Sequence, residues 1–134
     1  LIVTNAHKNW VEYSSQTVMP QTASLLKERI RVISARMEGL SPATSSNWKI
    51  RTFLKLHDTL QISRNGVTNL VVVGDSMNEM KAGQRLAQEL PQCILKMIKM
   101  QDAPSPQELI KQLVVITDAW ATVSTSAKNF NMKL

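Results

Sequence analysis

Short apolar runs alternate with segments of helical periodicity along the chain. Runs rich in aliphatic and β-branched residues, the composition of buried strands, lie at residues 1–3, 30–34, 70–73 and 93–98. Apolar residues recur with helical spacing over residues 9–18, 21–29, 50–60, 76–90 and 105–123. Because this alternation is typical of βα units, the pattern predicts an α/β fold built on a parallel sheet.

Two of the predicted helices begin with a capping signal. Ser76 and Glu79 stand at the start of one helix, and Ser105 and Glu108 stand at the start of the last one. In this spacing the serine accepts the backbone amide of the glutamate, which reaches back to the serine, so both pairs are predicted to form capping boxes. Gly83, on the apolar face of the first of these helices, predicts a close approach of that helix to the sheet.

The carboxy-terminal part of the chain sets the predicted domain boundary. The last helix is expected to bury one apolar stripe, formed by Leu109, Leu113, Ile116, Trp120 and Val123. Residues 124–134 show no periodicity. The expected organisation is therefore one α/β core over residues 1–123 and a carboxy-terminal tail over residues 124–134.

The run at residues 70–73 leads directly into an acidic turn. Gly74 permits a tight turn, and Asp75 then lands at the carboxyl end of the strand, where ligands collect in open α/β sheets. A carboxylate at that position is well placed to bind a hard cation. Glu79 is explained both by the capping box and by a metal site, so both interpretations of Glu79 stay open.

Composition narrows the classes of partner. The charge of +6 is spread over the chain, and with only 4% aromatic residues this argues against a nucleic-acid partner and for anionic substrates. No apolar run approaches the ~20 residues that cross a bilayer, so no membrane partner is expected. Cys93 is the single cysteine, which fits a reducing compartment and favours a cytoplasmic location.

Polar and charged residues follow two of the predicted strands and lie at the start of one predicted helix. Thr4 and Asn5 follow the first strand, Lys49 lies in the first turn of a helix, and Asp75 with Glu79 follows the 70–73 strand. This order resembles the haloacid dehalogenase (HAD) superfamily of phosphatases and phosphotransferases. In that family the second motif is a strand ending in Ser or Thr, the third is a lysine at a helix start, and the fourth is an acidic pair after a strand.

The resemblance implies Mg²⁺-dependent phosphoryl transfer through an aspartyl-phosphate. Thr4 and Lys49 would be catalytic, and with Asn5 they would bind the phosphate, Thr4 through its hydroxyl and Lys49 through its charge. Asp75 and Glu79 would bind Mg²⁺. The substrate would be a phosphorylated small molecule or a phosphoprotein. The implied fold is a three-layer, Rossmann-like parallel sheet with helices on both faces.

The family's first motif, Asp-x-Asp-x-Thr/Val, is missing from the chain, although the resemblance covers about residues 1–100. That motif supplies the nucleophile on the central strand of the sheet, between the strands of the second and fourth motifs. We therefore expect a fragment that lacks its central first strand. It would associate with an amino-terminal segment preceding Leu1, with a partner chain, or with a second copy of itself.

Other interpretations of these residues, and other functions of the chain, stay open. Thr4 can simply end a strand, Asn5 can cap a helix, and Lys49 can be a solvated surface lysine. A HAD-like core without a nucleophile would be a non-catalytic interaction or regulatory module. Gly-Asp-Ser around Ser76 also matches a motif of serine esterases, but both histidines precede Ser76, so the general base is missing from its usual place.

Overall fold

The computed structural model of the chain describes residues 1–36, 45–59 and 68–134. In chain order the elements are β1 (Ile2–Thr4), α1 (Trp10–Val18), α2 (Pro20–Arg29), β2 (Val32–Ser34), α3 (Ser45–Thr59), β3 (Thr68–Gly74), α4 (Met77–Glu89), β4 (Cys93–Lys99), α5 (Pro106–Thr125) and β5 (Phe130–Lys133). The predicted α/β class is confirmed.

The chain forms two compact units, Leu1–Thr52 and Phe53–Leu134. The first unit holds a two-stranded parallel sheet in which β1 pairs with β2, with Thr4 opposite Ser34. Pro20 occupies the first turn of α2 and separates it from α1, because proline cannot continue the preceding helix but fits a helix start. The helices α1 and α2 pack against each other.

The second unit holds a three-stranded parallel sheet in the order β3-β4-β5. Gly74 of β3 lies opposite Lys99 of β4, which lies opposite Lys133 of β5. The strand β5 falls in the segment that the sequence predicts to be unpatterned. The three-layer, Rossmann-like sheet with a missing central strand stays a prediction, since the described residues form sheets of two and three strands.

Helices cover both faces of the second sheet. On one face Val72 and Met97 form a buried cluster with Met80 of α4. On the other face Ile98 forms a buried cluster with Ile116 of α5. Because neighbouring residues of a strand point to opposite faces, the apolar runs of β3 and β4 supply both clusters.

The buried faces of two helices differ from the predicted stripes. In α5 Ile116 and Val123 are buried as predicted, whereas Leu109, Leu113 and Trp120 are exposed. A polar residue takes the inner position instead: Gln112 is buried because its side-chain oxygen accepts the amide of Gln101 at 2.7 Å. None of the helices in the described ranges is both long and apolar enough to cross a membrane.

In α3 the buried side chains are Trp48, Thr52 and Leu56. The apolar positions 50, 53, 54 and 57 are only partly buried, and position 60 of the predicted stripe lies outside the described residues. The buried positions of α3 thus differ from the predicted stripe, although Phe53 of that stripe packs against the cluster of Val72, Met80 and Met97.

Candidate functional site

The carboxyl end of β1 is held by hydroxyl groups. The Thr4 hydroxyl oxygen accepts the backbone amide of Ala6 at 3.1 Å, and the Ser34 hydroxyl at the end of β2 donates to the Ala6 carbonyl at 2.7 Å. These bonds fix the turn after β1. The hydroxyl hydrogen of Thr4 has no acceptor in the described part of the chain, so it can be donated to a ligand. Phosphate binding by Thr4 stays a prediction.

Asn5 carries an unsatisfied polar atom. Its side-chain oxygen is buried and has no hydrogen-bond partner among residues 1–36, 45–59 and 68–134. Leaving a buried acceptor unpaired costs free energy, so this atom marks a place that a ligand donor would satisfy. A half-turn of the amide would put its NH₂ group there instead, which is the orientation that phosphate binding by Asn5 requires.

The other predicted residue of the first unit is Lys49. It is partly buried and lies in α3, at the start of the second turn and not in the first turn as predicted. Thr4, Asn5 and Lys49 belong to the first unit, whereas Asp75 and Glu79 belong to the second.

In the second unit, Asp75 is exposed directly after β3, where the sequence places it. Glu79 has a different environment: it is 7% exposed, and its carboxylate accepts the backbone amide of Ser76 at 3.1 Å and the Ser76 hydroxyl. The Ser76 hydroxyl oxygen accepts the amide of Asn78 at 3.2 Å. The predicted capping box is therefore confirmed, whereas metal binding by Glu79 stays a prediction.

Gly74 is required by this cap. A Cβ atom at Gly74 would lie 2.5 Å from Cγ of Glu79, so any side chain there would displace the glutamate. The sequence predicts a tight turn at Gly74, but the close approach of Glu79 is the stronger constraint. Gly74 and Glu79 thus shape the loop that carries Asp75.

Lys99 fixes the backbone of Asp75, a role that apolar periodicity and motifs in the sequence do not predict. Its ammonium group donates to the carbonyl oxygens of Asp75 and Met100, each at 2.6 Å, and to the carboxylate of Asp102 at 2.9 Å. The three ammonium hydrogens are thereby used, which explains how a lysine only 9% exposed is tolerated. Lys99 therefore ties the loop after β3 to the loop after β4.

The signal that could have identified Lys99 is its place at the end of an apolar run. A lysine that closes a buried strand lies at the same sheet edge as the turn after the neighbouring parallel strand. The register confirms this geometry, since Lys99 lies opposite Gly74. Without the register, the sequence gives no way to select Lys99 from the other basic residues.

Metal binding at Asp75 stays a prediction. No group of three or more His, Cys, Asp or Glu side chains comes together within the described ranges. Mg²⁺ commonly uses one or two carboxylates and keeps several waters, so a single exposed Asp75 carboxylate fits this ion. Cys93 adds no ligand here, because it lies opposite Thr68 at the other end of the sheet, where burial raises the pKa of its thiol.

Comparison of the chain with protein-family models, with curated proteins and with solved structures found no match. The resemblance to the HAD superfamily therefore depends on the order and spacing of Thr4, Lys49 and Asp75 in the sequence. Family membership stays a prediction, and the chemistry must be inferred from the side chains themselves.

Proposed function

We propose that the chain is part of a HAD-type, Mg²⁺-dependent phosphatase or phosphotransferase. Thr4 and Lys49 bind the phosphoryl group and Asp75 holds the cation, while a segment outside this sequence supplies the aspartate nucleophile. The observation that carries the proposal is the environment of Asp75: an exposed carboxylate directly follows a parallel strand, and its backbone carbonyl is fixed by Lys99. A fixed backbone at Asp75 restricts where its carboxylate can lie, which lowers the entropic cost of binding a ligand there.

The end of β1 supports the same chemistry. Thr4 has a hydroxyl hydrogen to donate, and Asn5 beside it has a buried amide oxygen that lacks a partner in the described residues. Phosphoryl transfer needs fixed donors around the phosphoryl oxygens, and Mg²⁺ would offset the charge that develops there. Thr4 would bind one of these oxygens and orient the group, and Lys49 would contribute positive charge.

The strand order supports the interpretation as a fragment. In the described part of the chain, β1 pairs only with β2, and β3 pairs only with β4, so each of the two site-bearing strands is an edge strand. Natural proteins seldom leave parallel edges bare, because unpaired backbone groups attract other strands. Loss of a neighbouring strand from each sheet would account for both edges.

Binding of Mg²⁺ tests the proposal directly. We expect Asp75→Asn to weaken Mg²⁺ binding about tenfold or more, because the substitution removes the anionic ligand. The measurement is a Mg²⁺ titration followed by the backbone amide NMR signals of Ser76 and Met77. Asp118→Asn is the matched control, since Asp118 is an exposed aspartate on α5.

The assignment of Asp75 is wrong if Mg²⁺ leaves the Ser76 and Met77 signals unchanged. It is also wrong if Asp75→Asn and Asp118→Asn bind Mg²⁺ as well as the unaltered chain does. Retained Mg²⁺ binding in Asp118→Asn, together with its loss in Asp75→Asn, is the result that the proposal requires.

A non-catalytic HAD-like module is the second candidate. It is favoured by one observation, the absence of an Asp-x-Asp-x-Thr/Val motif from the sequence. Incubation with Mg²⁺ and an aryl phosphate tests it: this chain alone should not release the aryl alcohol, and turnover would show that a nucleophile is present after all. The serine esterase hypothesis gains no support, because the Ser76 hydroxyl donates to the Glu79 carboxylate in the helix cap.

A further inference from the structure

The first unit contains a cavity of about 410 Å³. It lies at the carboxyl ends of β1 and β2, where Thr4 and Ser34 line it, and it extends along α1 and α2. Cavities that bind small organic ligands commonly have volumes of roughly 300–1,000 Å³. Thr4, to which the HAD resemblance assigns phosphate binding, therefore borders a space large enough for a small organic group.

The walls of the cavity combine apolar and cationic side chains. Val11, Leu26 and Ile30 line it and are only partly buried, so they retain contact with solvent. Lys8 and Lys27 also line it together with Glu12, so two cationic groups and one carboxylate leave the walls with a net positive charge. An occupant with an apolar part and an anionic part would match both kinds of wall.

Two hydroxyl groups that line the cavity already donate hydrogen bonds within the protein. Ser15 donates to the Glu12 carbonyl at 2.9 Å, and Ser34 donates to the Ala6 carbonyl at 2.7 Å. Two of the lining hydroxyls are thus already used as donors within the protein. An alkyl or aryl group needs no such donor and can pack against Val11, Leu26 and Ile30, so these walls favour an apolar organic group.

The geometry points to this cavity as the site that selects the substrate, by binding the apolar organic group of a phosphate monoester against Val11, Leu26 and Ile30. This inference rests on the proposed function, because it places the phosphate at Thr4. The substrate class is then a phosphate ester of a small alkyl or aryl alcohol. The cavity belongs wholly to the first unit, so its binding does not depend on Asp75.

The test compares phenyl phosphate with inorganic phosphate. We expect phenyl phosphate to bind the chain about tenfold more tightly, because its ring removes apolar surface from water. Binding is followed by methyl and amide NMR signals, and the methyl signals of Leu26 and Ile30 should shift with phenyl phosphate only. Leu26→Trp should fill the cavity and abolish the preference for the aryl ester.

Leu25→Trp is the matched control, because Leu25 neighbours Leu26 on α2 but is 49% exposed and does not line the cavity. It should keep the preference for phenyl phosphate. If Leu26→Trp does not fold, as judged by its amide spectrum, Ala23→Leu provides a milder filling of the same cavity. The inference is overturned if phenyl phosphate does not bind, if it binds no better than inorganic phosphate, or if a folded cavity-filling variant keeps the preference.

Thr4→Val separates this inference from the proposed function. If both hold, Thr4→Val weakens binding of both phosphates. If phenyl phosphate binding is lost in Leu26→Trp but survives in Thr4→Val, the cavity is retained as the ligand site and the phosphate role of Thr4 is overturned.

Discussion

Individual side chains settle how closely α4 approaches the sheet. A Cβ atom at Gly83 would lie 2.6 Å from Cγ2 of Val72, which is buried in β3. Glycine lowers the helix propensity of that position, but the contact that it permits brings α4 against the apolar core. The close approach predicted from the sequence at Gly83 is therefore confirmed.

Gly83→Ala should destabilise the second unit, although alanine is the better helix former. The added methyl group overlaps Val72, and such overpacking costs about 1–3 kcal/mol, more than the gain in helix propensity of roughly 1 kcal/mol. Urea unfolding followed by circular dichroism measures the change. Gln84→Ala, at the adjacent exposed position, should leave the free energy of unfolding within about 0.5 kcal/mol of its original value.

A Gly83→Ala variant as stable as the unaltered chain would contradict this account of the glycine.

The two capping boxes are also determined by individual side chains, since Ser76 with Glu79 and Ser105 with Glu108 both form as predicted. Local features of this kind are predictable because all the interacting groups lie within one helical turn.

At the scale of elements, the carboxyl ends of β3 and β4 are joined by hydrogen bonds. The Met100 amide donates to the Gly74 carbonyl at 2.8 Å, and Lys99 bonds to Asp75, Met100 and Asp102. The loop after β4 contains Ala103 at a φ of 46°, a conformation that costs energy for a residue with a side chain. The contacts of Lys99 help to hold that loop in place.

Lys99→Met should loosen both loops. The substitution leaves two carbonyl oxygens without their donor, which we expect to cost about 1–3 kcal/mol. The measurement is urea unfolding together with amide hydrogen exchange at Ser76, which should become faster. Lys133→Met is the matched control, because Lys133 pairs with Lys99 across the sheet but is exposed, and it should change neither quantity.

Unchanged amide hydrogen exchange at Ser76 in Lys99→Met would show that Lys99 does not position the Asp75 loop.

Lys96 illustrates why the partners of buried lysines are hard to predict from the sequence. It is fully buried in β4, with its ammonium group 3.4 Å from the Ser124 carbonyl at the end of α5. A lysine within an apolar run gives no sign of its partner when that partner lies 28 residues away in the chain.

Periodicity predicted most elements because strands and helices repeat at different intervals. It did not predict which way α5 is turned, since Gln112 takes an inner position through a bond to Gln101 that a count of apolar residues ignores. It also missed β5, whose residues alternate in burial but include only two large apolar side chains, Phe130 and Met132. Tertiary pairing, and not local preference, determines these features.

At the scale of the whole molecule, β5 makes the carboxy-terminal residues part of the second core. Phe130, Met132 and Leu134 pack against the buried cluster that includes Ile98 and Ile116. The backbone amide of Leu134 also donates to the Lys99 carbonyl at 2.9 Å. The segment predicted as a tail therefore completes the sheet of the second unit.

Met132→Ala should lower the stability of the second unit by about 1–3 kcal/mol, because it removes a partly buried side chain from the core. Asn131→Ala is the matched control, since Asn131 is the exposed neighbour on the same strand and should change stability little. Urea unfolding compares the two. Equal stability of the two variants would mean that β5 does not contribute its side chains to the core.

The position of β5 also bears on synthesis. Each of the strands β3, β4 and β5 is separated from the next by a helix, so pairing in parallel must wait until that helix has been made. On the ribosome, β4 therefore emerges with one edge bare and stays so until residues 130–133 follow α5 out. During that interval the nascent chain exposes a strand edge that chaperones could bind.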